Sequence, residues 1–461
     1  MQITMNTHRI PPTLSGQHLI VGVMNEFRQD PLALLARTHA ECGDVGLFRF
    51  FATPSLAIFK PDYIKHVLQD HHKNYIKQQR TMRIVGTFSQ QNIFTSDGDF
   101  WLQQRRLMQP MFHRQRLYGF GKIMVDSTLK VLQEWEARPN PGDFIEIESE
   151  MSRLTMRIVG LALFSEDLSD ARSELGRAFH EADLFIAHCI RNLNPPLWVP
   201  TRINKIGAHA NAMLRAKIFG MLAQRRSERG ANPAQPAGQD DLLNMLMETR
   251  DEETGQPMPD EQIRREAITM IGAGHETTAR TMAWAFYLLS QHPDVERKLH
   301  AELDRVLGQR PATMEDVPNL AFARQIIDET LRLYPPAYAT ARDVAVDDDI
   351  DGYRLKKGSG VTIGIWATQR SPHYWERPND FVPERFAPEH ADKIIKWSYL
   401  PFGGGPRLCI GQMFALTEAV LMLATIGQRY KLRLKPDHPV HPMPVFTLQT
   451  SHGLPMTLEA R

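Results

Sequence analysis

Residues 402–411, FGGGPRLCIG, decide how this chain is read. Three successive glycines precede a Pro-Arg pair, and Cys409 is one of only three cysteines among 461 residues. Three readings compete: a phosphate-cradling loop, a plain turn over a buried thiol, or a site of chemistry. The phosphate loop fails, because no Lys-Ser or Lys-Thr follows and no strand–loop–helix fingerprint surrounds the stretch. A nucleophilic cysteine would want a histidine, and its absence nearby in sequence neither supports nor excludes that role. A buried structural thiol stays open. The next residues, GQMFALTEAVLMLATIG (411–427), carry helical spacing. Cys409 therefore stands just ahead of a helix N-terminus, where the dipole and free N–H groups stabilise a thiolate. Such a sulfur, with glycine letting backbone approach closely, suits ligation of a flat, bulky metal cofactor.

Bulk properties set the frame. The composition is 42% hydrophobic and 23% charged, ordinary for a globular protein. A formal net charge of +1 gives no global argument for binding nucleic acid or an anionic membrane. Cys42, Cys189 and Cys409 are too far apart to form a disulfide framework, so a reducing, cytoplasmic setting is expected. The N-terminal apolar run 19–24 is too short for a membrane span, and no signal-peptide layout or membrane anchor is expected.

Working back from the cysteine stretch, the chain reads as mainly α with a smaller β part (α+β), organised as a single domain over 1–461. The first part looks β-rich at DVGLFRFF and SLAIFK, followed by a helical PDYIKHVLQDH. Residues 78–98 look irregular and polar. Helical spacing resumes at DFWLQQRRLMQPMF and dominates from about 120 to 287. The run 229–241, RGANPAQPAGQDD, reads as a flexible loop. The longest helix is expected over 259–291, roughly 50 Å at 1.5 Å per residue, and its centre is apolar nearly all round. It should run through the core.

Four constellations carry chemistry. GAGHETT (272–278) places two glycines and two threonines in the middle of that helix. Its bland reading is close helix packing at Gly272 and Gly274. Its functional reading is a local kink or bulge beside a ligand, with Glu276 and Thr277 as the acid and hydroxyl of a proton relay. HETTA lacks the second histidine of a zinc helix, and GAGHET lacks the third glycine of a dinucleotide loop. Glu329 and Arg332 lie at i, i+3 on one helix face, where an exposed ion pair is the usual outcome. PERF adds Arg385 in a proline-flanked loop. Trp101 and Arg105 lie at i, i+4, opening a run to Val125 with Arg105, Arg106, Arg114, Arg116 and Lys122 and no acid. That run is usually a solvated face, but it also suits anionic groups.

Together these residues resemble a known pattern. FGGGPRLCIG matches F-x-x-G-x-R-x-C-x-G, the haem-binding signature of the cytochrome P-450 family, at every fixed position. AGHETT resembles that family's oxygen-activation motif, Glu329-x-x-Arg332 with Arg385 its internal Glu-Arg-Arg triad, and Trp101-x-x-x-Arg105 its haem-contacting helix. The motifs appear in the family's order across essentially the whole chain. The resemblance implies the cytochrome P-450 fold, with a long central helix over a buried haem b (iron protoporphyrin IX). It implies Cys409 as axial ligand of the iron. Phe402 and Gly411 would pack around the sulfur, and Arg407, Arg105, Trp101 and Arg342 would hold the propionates. Ala273 would lie against the haem face.

The reaction implied is monooxygenation of a lipophilic substrate such as a fatty acid or terpenoid, using O2 and electrons from a separate ferredoxin or flavodoxin-type donor, with no fused reductase. The basic run is then a candidate docking patch. Rival readings are a peroxide-using or rearranging haem-thiolate enzyme and a non-catalytic haem sensor. By the same resemblance, the segments 78–98, 180–210, 336–340 and 446–451, with Met270, would line the substrate pocket. Arg191 or Arg80 would be candidate carboxylate anchors there, although a solvated arginine is the commoner case.

Overall fold

The structure, a computed structural model, describes residues 9–138, 140, 142–170, 174–192, 194–231, 241–251 and 253–461. The loop expected over 229–241 falls largely outside the described residues. The chain divides into two compact units, one of Met1–Met82, Leu331–Cys409 and Met443–Leu448, the other of Arg83–Thr330, Ile410–Pro442 and Gln449–Arg461. The first is called here the sheet unit and the second the helical unit. Helices dominate, with several small sheets, as the α+β expectation has it.

The sheet unit is built on five strands in the order Val45–Phe50, Thr53–Ile58, Gly360–Ile363, Thr340–Val344, Tyr75–Lys77. The hairpin of the first two pairs Val45 with Ile58 and Phe50 with Thr53, so the two apolar runs are strands as expected, but the turn is Phe51-Ala52 and the expected Thr-Pro turn lies inside the second strand. Thr53–Ile58 and Gly360–Ile363 run parallel, and the remaining pairs are antiparallel. One face of the sheet buries Val45, Leu56, Ile58, Val361 and Ile363 against Ile64, Val67, Leu68 and Leu400. Each such side chain contributes roughly 1.5–3 kcal/mol when fully buried, so this cluster is what holds the strands in register.

The helical unit is assembled around Asp260–Gln291, which begins after Pro259 with Asp260 and Glu261 in its first turn and closes at His292. It lies along Ile147–Phe164, whose apolar face (Met151, Leu154, Ile158) is fully buried. Glu174–Arg191 packs on Arg202–Ala231, and Gln412–Gly427 packs on Arg114–Glu136. A three-stranded antiparallel sheet, Ile145–Glu146, Pro455–Ala460 and Tyr430–Leu434, completes the unit. Among the described residues no helix is long and apolar enough to cross a membrane.

One local expectation is corrected. The stretch 78–98 is not irregular throughout, because Gln79–Ser89 is a helix. Gln78 Oε1 accepts from Thr81 N at 3.1 Å and sets its first turn. Met82, Val85 and Phe88 supply a three-residue apolar spacing, but Arg80, Arg83 and Gly86 between them obscure it in the sequence.

Candidate functional site

The cysteine loop belongs to the sheet unit and is folded back on itself. Cys409 N–H donates to Phe402 O (3.1 Å), Gly403 N–H to Leu400 O (3.0 Å) and Leu408 N–H to Gly405 O (3.0 Å). These bonds hold residues 400–409 as a closed hairpin with the thiol at its end, and Cys409 is exposed. Gly403 and Gly405 have φ of +72° and +65°, the left-handed region that side chains rarely enter. A Cβ on Gly405 would lie 1.9 Å from Leu68 O, and one on Gly404 would lie 2.3 Å from the Trp397 ring. Two of the three glycines are therefore required by the protein's own packing. Gly403 alone opens onto space, with nothing within 4 Å of its ideal Cβ.

Around the loop, the sheet unit places the other predicted residues. Phe402 and Arg407 are half-buried in the loop itself. Arg342 sits on the strand Thr340–Val344, and its Nη1 donates to Thr340 Oγ1 (2.9 Å) and Ala341 O (2.8 Å). Arg332 is fully buried, which excludes the surface-pair reading. Its guanidinium donates to Gln369 O (2.8 Å), Pro378 O (2.7 Å) and Asp380 O (3.1 Å) and lies over the Trp375 ring at 5.1 Å. Gln369 in turn receives Leu400 N–H at 2.7 Å, so this arginine node reaches the residue that anchors the cysteine loop. Arg385 donates to Arg377 O at 2.7 Å. Glu329, on the same helix Ala321–Leu333 as Arg332 but in the part that belongs to the helical unit, is fully buried.

The helical unit carries the remaining candidates. The central helix is α-helical throughout GAGHETT, so no π-bulge interrupts it there. Thr277 Oγ1 donates to Ala273 O (2.9 Å) and Thr278 Oγ1 to Gly274 O (3.3 Å), i−4 bonds of the kind that tend to bend a helix rather than straighten it. The packing reading holds for Gly274, whose Cβ would meet Val159 at 3.2 Å, and not for Gly272, which has open space. Ala273 is exposed beside it. Trp101 is buried on the helix Gly98–Met108, and Arg105 is half-buried, donating to Gln109 Oε1 at 3.4 Å. Gly411 caps the helix Gln412–Gly427.

Glu276 does not stand alone. Arg280 lies 3.5 Å from its carboxylate and donates to Glu148 Oε1 at 2.7 Å, and Glu148 accepts from Thr450 Oγ1 at 2.5 Å. His275 is buried against Phe179 (6.3 Å between ring centres), and burial holds its imidazole below the usual range, hence neutral. Asp183 faces this group from the helix Glu174–Arg191. Burial, and then the like charge of Glu276, push its carboxyl well above the ordinary value. Two further buried acids lie along the same unit. Burial raises Glu266 to about 7 although it accepts from Ile93 N–H (3.2 Å) and Gln262 Nε2 (2.7 Å). Glu418 is fully buried and held well above its usual range by burial, and the Thr278 hydroxyl beside it donates to Gly274 O.

None of Asp183, Glu266 or Glu418 was among the candidates read from sequence. Glu266 and Glu418 left a signal there, a lone acid at an apolar position of a helical run, as in ALTEAVL or AITM preceded by Glu266, whereas Asp183 follows Glu181 and is masked by it. The basic run fares differently. Arg106 pairs with Glu253 (2.7 Å) and Lys122 with Asp126, so part of the run is neutralised by carboxylates. Arg116 is exposed, and the side chain of Arg114 lies outside the described residues.

The chain matches the cytochrome P450 family over residues 11–455. It is 33% identical over 475 residues to cyclooctatin synthase of Streptomyces melanosporofaciens, covering 99% of both chains. It is 33% identical over 420 residues to a putative cytochrome P450 132 of Mycobacterium tuberculosis, covering 89% of both. Pentalenene oxygenase of Streptomyces avermitilis is 29% identical over 462 residues, covering 97% of both.

Proposed function

The chain belongs to the cytochrome P450 family of haem-dependent monooxygenases, and from that premise we propose that it oxidises a terpenoid, taking its electrons from a separate ferredoxin or flavodoxin-type donor. The observation that carries the substrate class is the set of relatives matched over nearly their whole length. Their names specify cyclooctatin, cyclooctat-9-en-7-ol and pentalenene, all cyclic and largely hydrocarbon. A fatty acid is the less supported choice.

The residues present suit haem b. Cys409 offers an exposed thiol at the end of a loop that its own hydrogen bonds hold in place, and the half-buried Arg407 and Arg342 of the same unit have the chemistry of propionate partners. In the helical unit, the exposed Ala273 with Gly272 beside it leaves the middle of the central helix open on one side. We assign Cys409 to the iron, with Phe402 and Gly411 flanking the sulfur. Arg407, Arg342, Arg105 and Trp101 go to the propionates and Ala273 to the ring face. When bound, the haem supplies dioxygen activation and insertion of one oxygen atom into the substrate.

The chain's own part is to move protons and hold the scaffold. Glu276 takes up a proton at its carboxylate while Arg280 keeps it oriented, and Thr277 Oγ1 relays protons through a hydroxyl anchored on Ala273 O. Arg332 and Arg385, with Glu329, are assigned to a structural network. The basic run is assigned to donor docking through Arg116, and charge reversal there should lower the reduction rate and flatten its salt dependence.

The test is a substrate screen by haem spin-state shift across cyclic terpenes, their alcohols, fatty acids and steroids, followed by turnover with reductant and O2. Tight shifts and product with a cyclic terpenoid are expected. Shifts confined to fatty acids would overturn the substrate class, and product formed only with peroxide would overturn the donor-dependent reaction.

A further inference from the structure

Outside the residues assigned above, the sheet unit holds a second group of ligating side chains. The helix Pro61–Lys65 passes into a π-helical turn, His66–Asp70, closed by His71 N–H donating to His66 O at 2.8 Å. An i to i+5 repeat brings residues five apart onto one side of the turn. His66 and His71 are stacked there, with ring centres 4.0 Å apart and planes within 9°. Both face Asp348, which begins the short strand Asp348–Ile350: His66 Nε2 is 3.1 Å from Oδ2 and His71 Nδ1 is 3.8 Å from Oδ1. One ligand atom from each of the three lies within 4.8 Å of the other two.

The carboxylate is held before anything binds it. Asp348 is 9% exposed and accepts from Asn74 Nδ2 (3.2 Å) and from the N–H of Asp349 (2.8 Å), with the Tyr75 hydroxyl beside it. Outer hydrogen bonds of this kind orient a ligating carboxylate and keep it ionised. His71, by contrast, is 47% exposed. That difference matters, because parallel imidazole planes cannot aim both lone pairs at one ion, and one ring must turn. The exposed His71 ring is the one with room to turn.

We propose that His66, His71 and Asp348 form a binding site for a divalent transition cation of the zinc class, with a fourth position left to water. Two imidazoles and a carboxylate are the donor set that zinc, nickel and copper accept and that magnesium and calcium, preferring oxygen, do not. Bound there, the ion ties the π-turn to the strand at Asp348. Leu68 belongs to that turn, and its carbonyl is the group against which Gly405 of the cysteine loop packs without room for a side chain. The cation therefore braces the segment on which the cysteine loop rests. The proposal stands on the sheet unit alone and is independent of the haem assignment.

The experiment is zinc titration of the full-length, untagged, haem-loaded protein by chelator competition, with the thermal midpoint followed in parallel. The expected result is one equivalent at micromolar affinity and a rise in the midpoint. His71→Ala should weaken binding at least tenfold, since losing even an outer partner costs roughly 10–100-fold. Asp348→Asn should do the same, while His72→Ala, at a half-buried neighbour bonded to Gln69 O, should bind as the parent does. X-ray absorption at the zinc edge should show nitrogen and oxygen ligands only. No bound equivalent, an equivalent retained in His71→Ala, or sulfur in the zinc shell would each overturn the site and leave an ordinary ion-paired cluster.

Discussion

The cysteine loop of the sheet unit and the central helix of the helical unit solve opposite problems. The loop keeps its one reactive group exposed and spends its backbone, through left-handed glycines and three internal hydrogen bonds, on holding that group still. The helix is α-helical from end to end and buries Glu266, whose carboxyl desolvation raises to about 7, as it raises Glu418 on the neighbouring Gln412–Gly427. Precision comes from backbone geometry in one region and from control of protonation in the other. Substitutions should therefore fail in different ways: sterically in the loop, and by pH in the helix.

The largest effect falls on the loop's one exposed group. Cys409→Ala should abolish turnover and the thiolate signature of the reduced, CO-bound spectrum. Retention of that signature would move the ligand elsewhere. Gly405→Ala comes next. It forces a Cβ into Leu68 O at positive φ, where strain alone costs about 1–2 kcal/mol and the clash adds to it. Gly403→Ala, at similar φ but in open space, should carry only the strain cost. Equal losses in the two variants, measured by denaturant unfolding, would show that packing against Leu68 contributes nothing.

On the helix, Glu266→Gln tests protonation control. In the folded state this carboxyl binds its proton up to about pH 7, while in the unfolded chain it releases it near 4.5. Between those values the native state holds more protons, so stability falls as pH rises and is flat above about 7. The glutamine variant should be more stable than the parent by on the order of 3 kcal/mol above pH 7 and about equal to it below pH 4.5. A pH-independent difference would break the contrast between the regions. Asp183→Asn should follow the same sign. Its carboxyl is held well above the ordinary value in the fold, so the amide should equal the parent below that value and become the more stable of the two as pH rises above it. It should also shift the pH profile of turnover, by removing the like charge that faces Glu276 at higher pH.

How much of this was legible in the sequence follows the same division. Cys409, Arg407 and the glycines are neighbours along the chain, so their spacing alone suggested a ligating loop. The helix 259–291 announced itself by period and differs from Asp260–Gln291 by one residue. The helix Gln79–Ser89 was missed because arginines and a glycine interrupt its apolar spacing. Asp183 lies 93 positions from Glu276, and nothing in either segment links the two. The roles first given to the glycines and threonines also changed. Gly404 and Gly405 make room for Trp397 and Leu68, and Thr277 and Thr278 spend their hydroxyls on i−4 carbonyls of their own helix.

By itself, the sequence determined the family and the class of chemistry and singled out Cys409 as the proposed ligand, because these depend on residue types at short, fixed spacings that local backbone geometry requires. Tertiary structure decided which charges are buried and what they face. It made Arg332 the centre of a carbonyl cage instead of half of a surface pair, set Asp183 against Glu276, and stacked His66 on His71 over Asp348. Desolvation and like-charge repulsion act through space between segments distant in the chain, and no spacing along one segment encodes them.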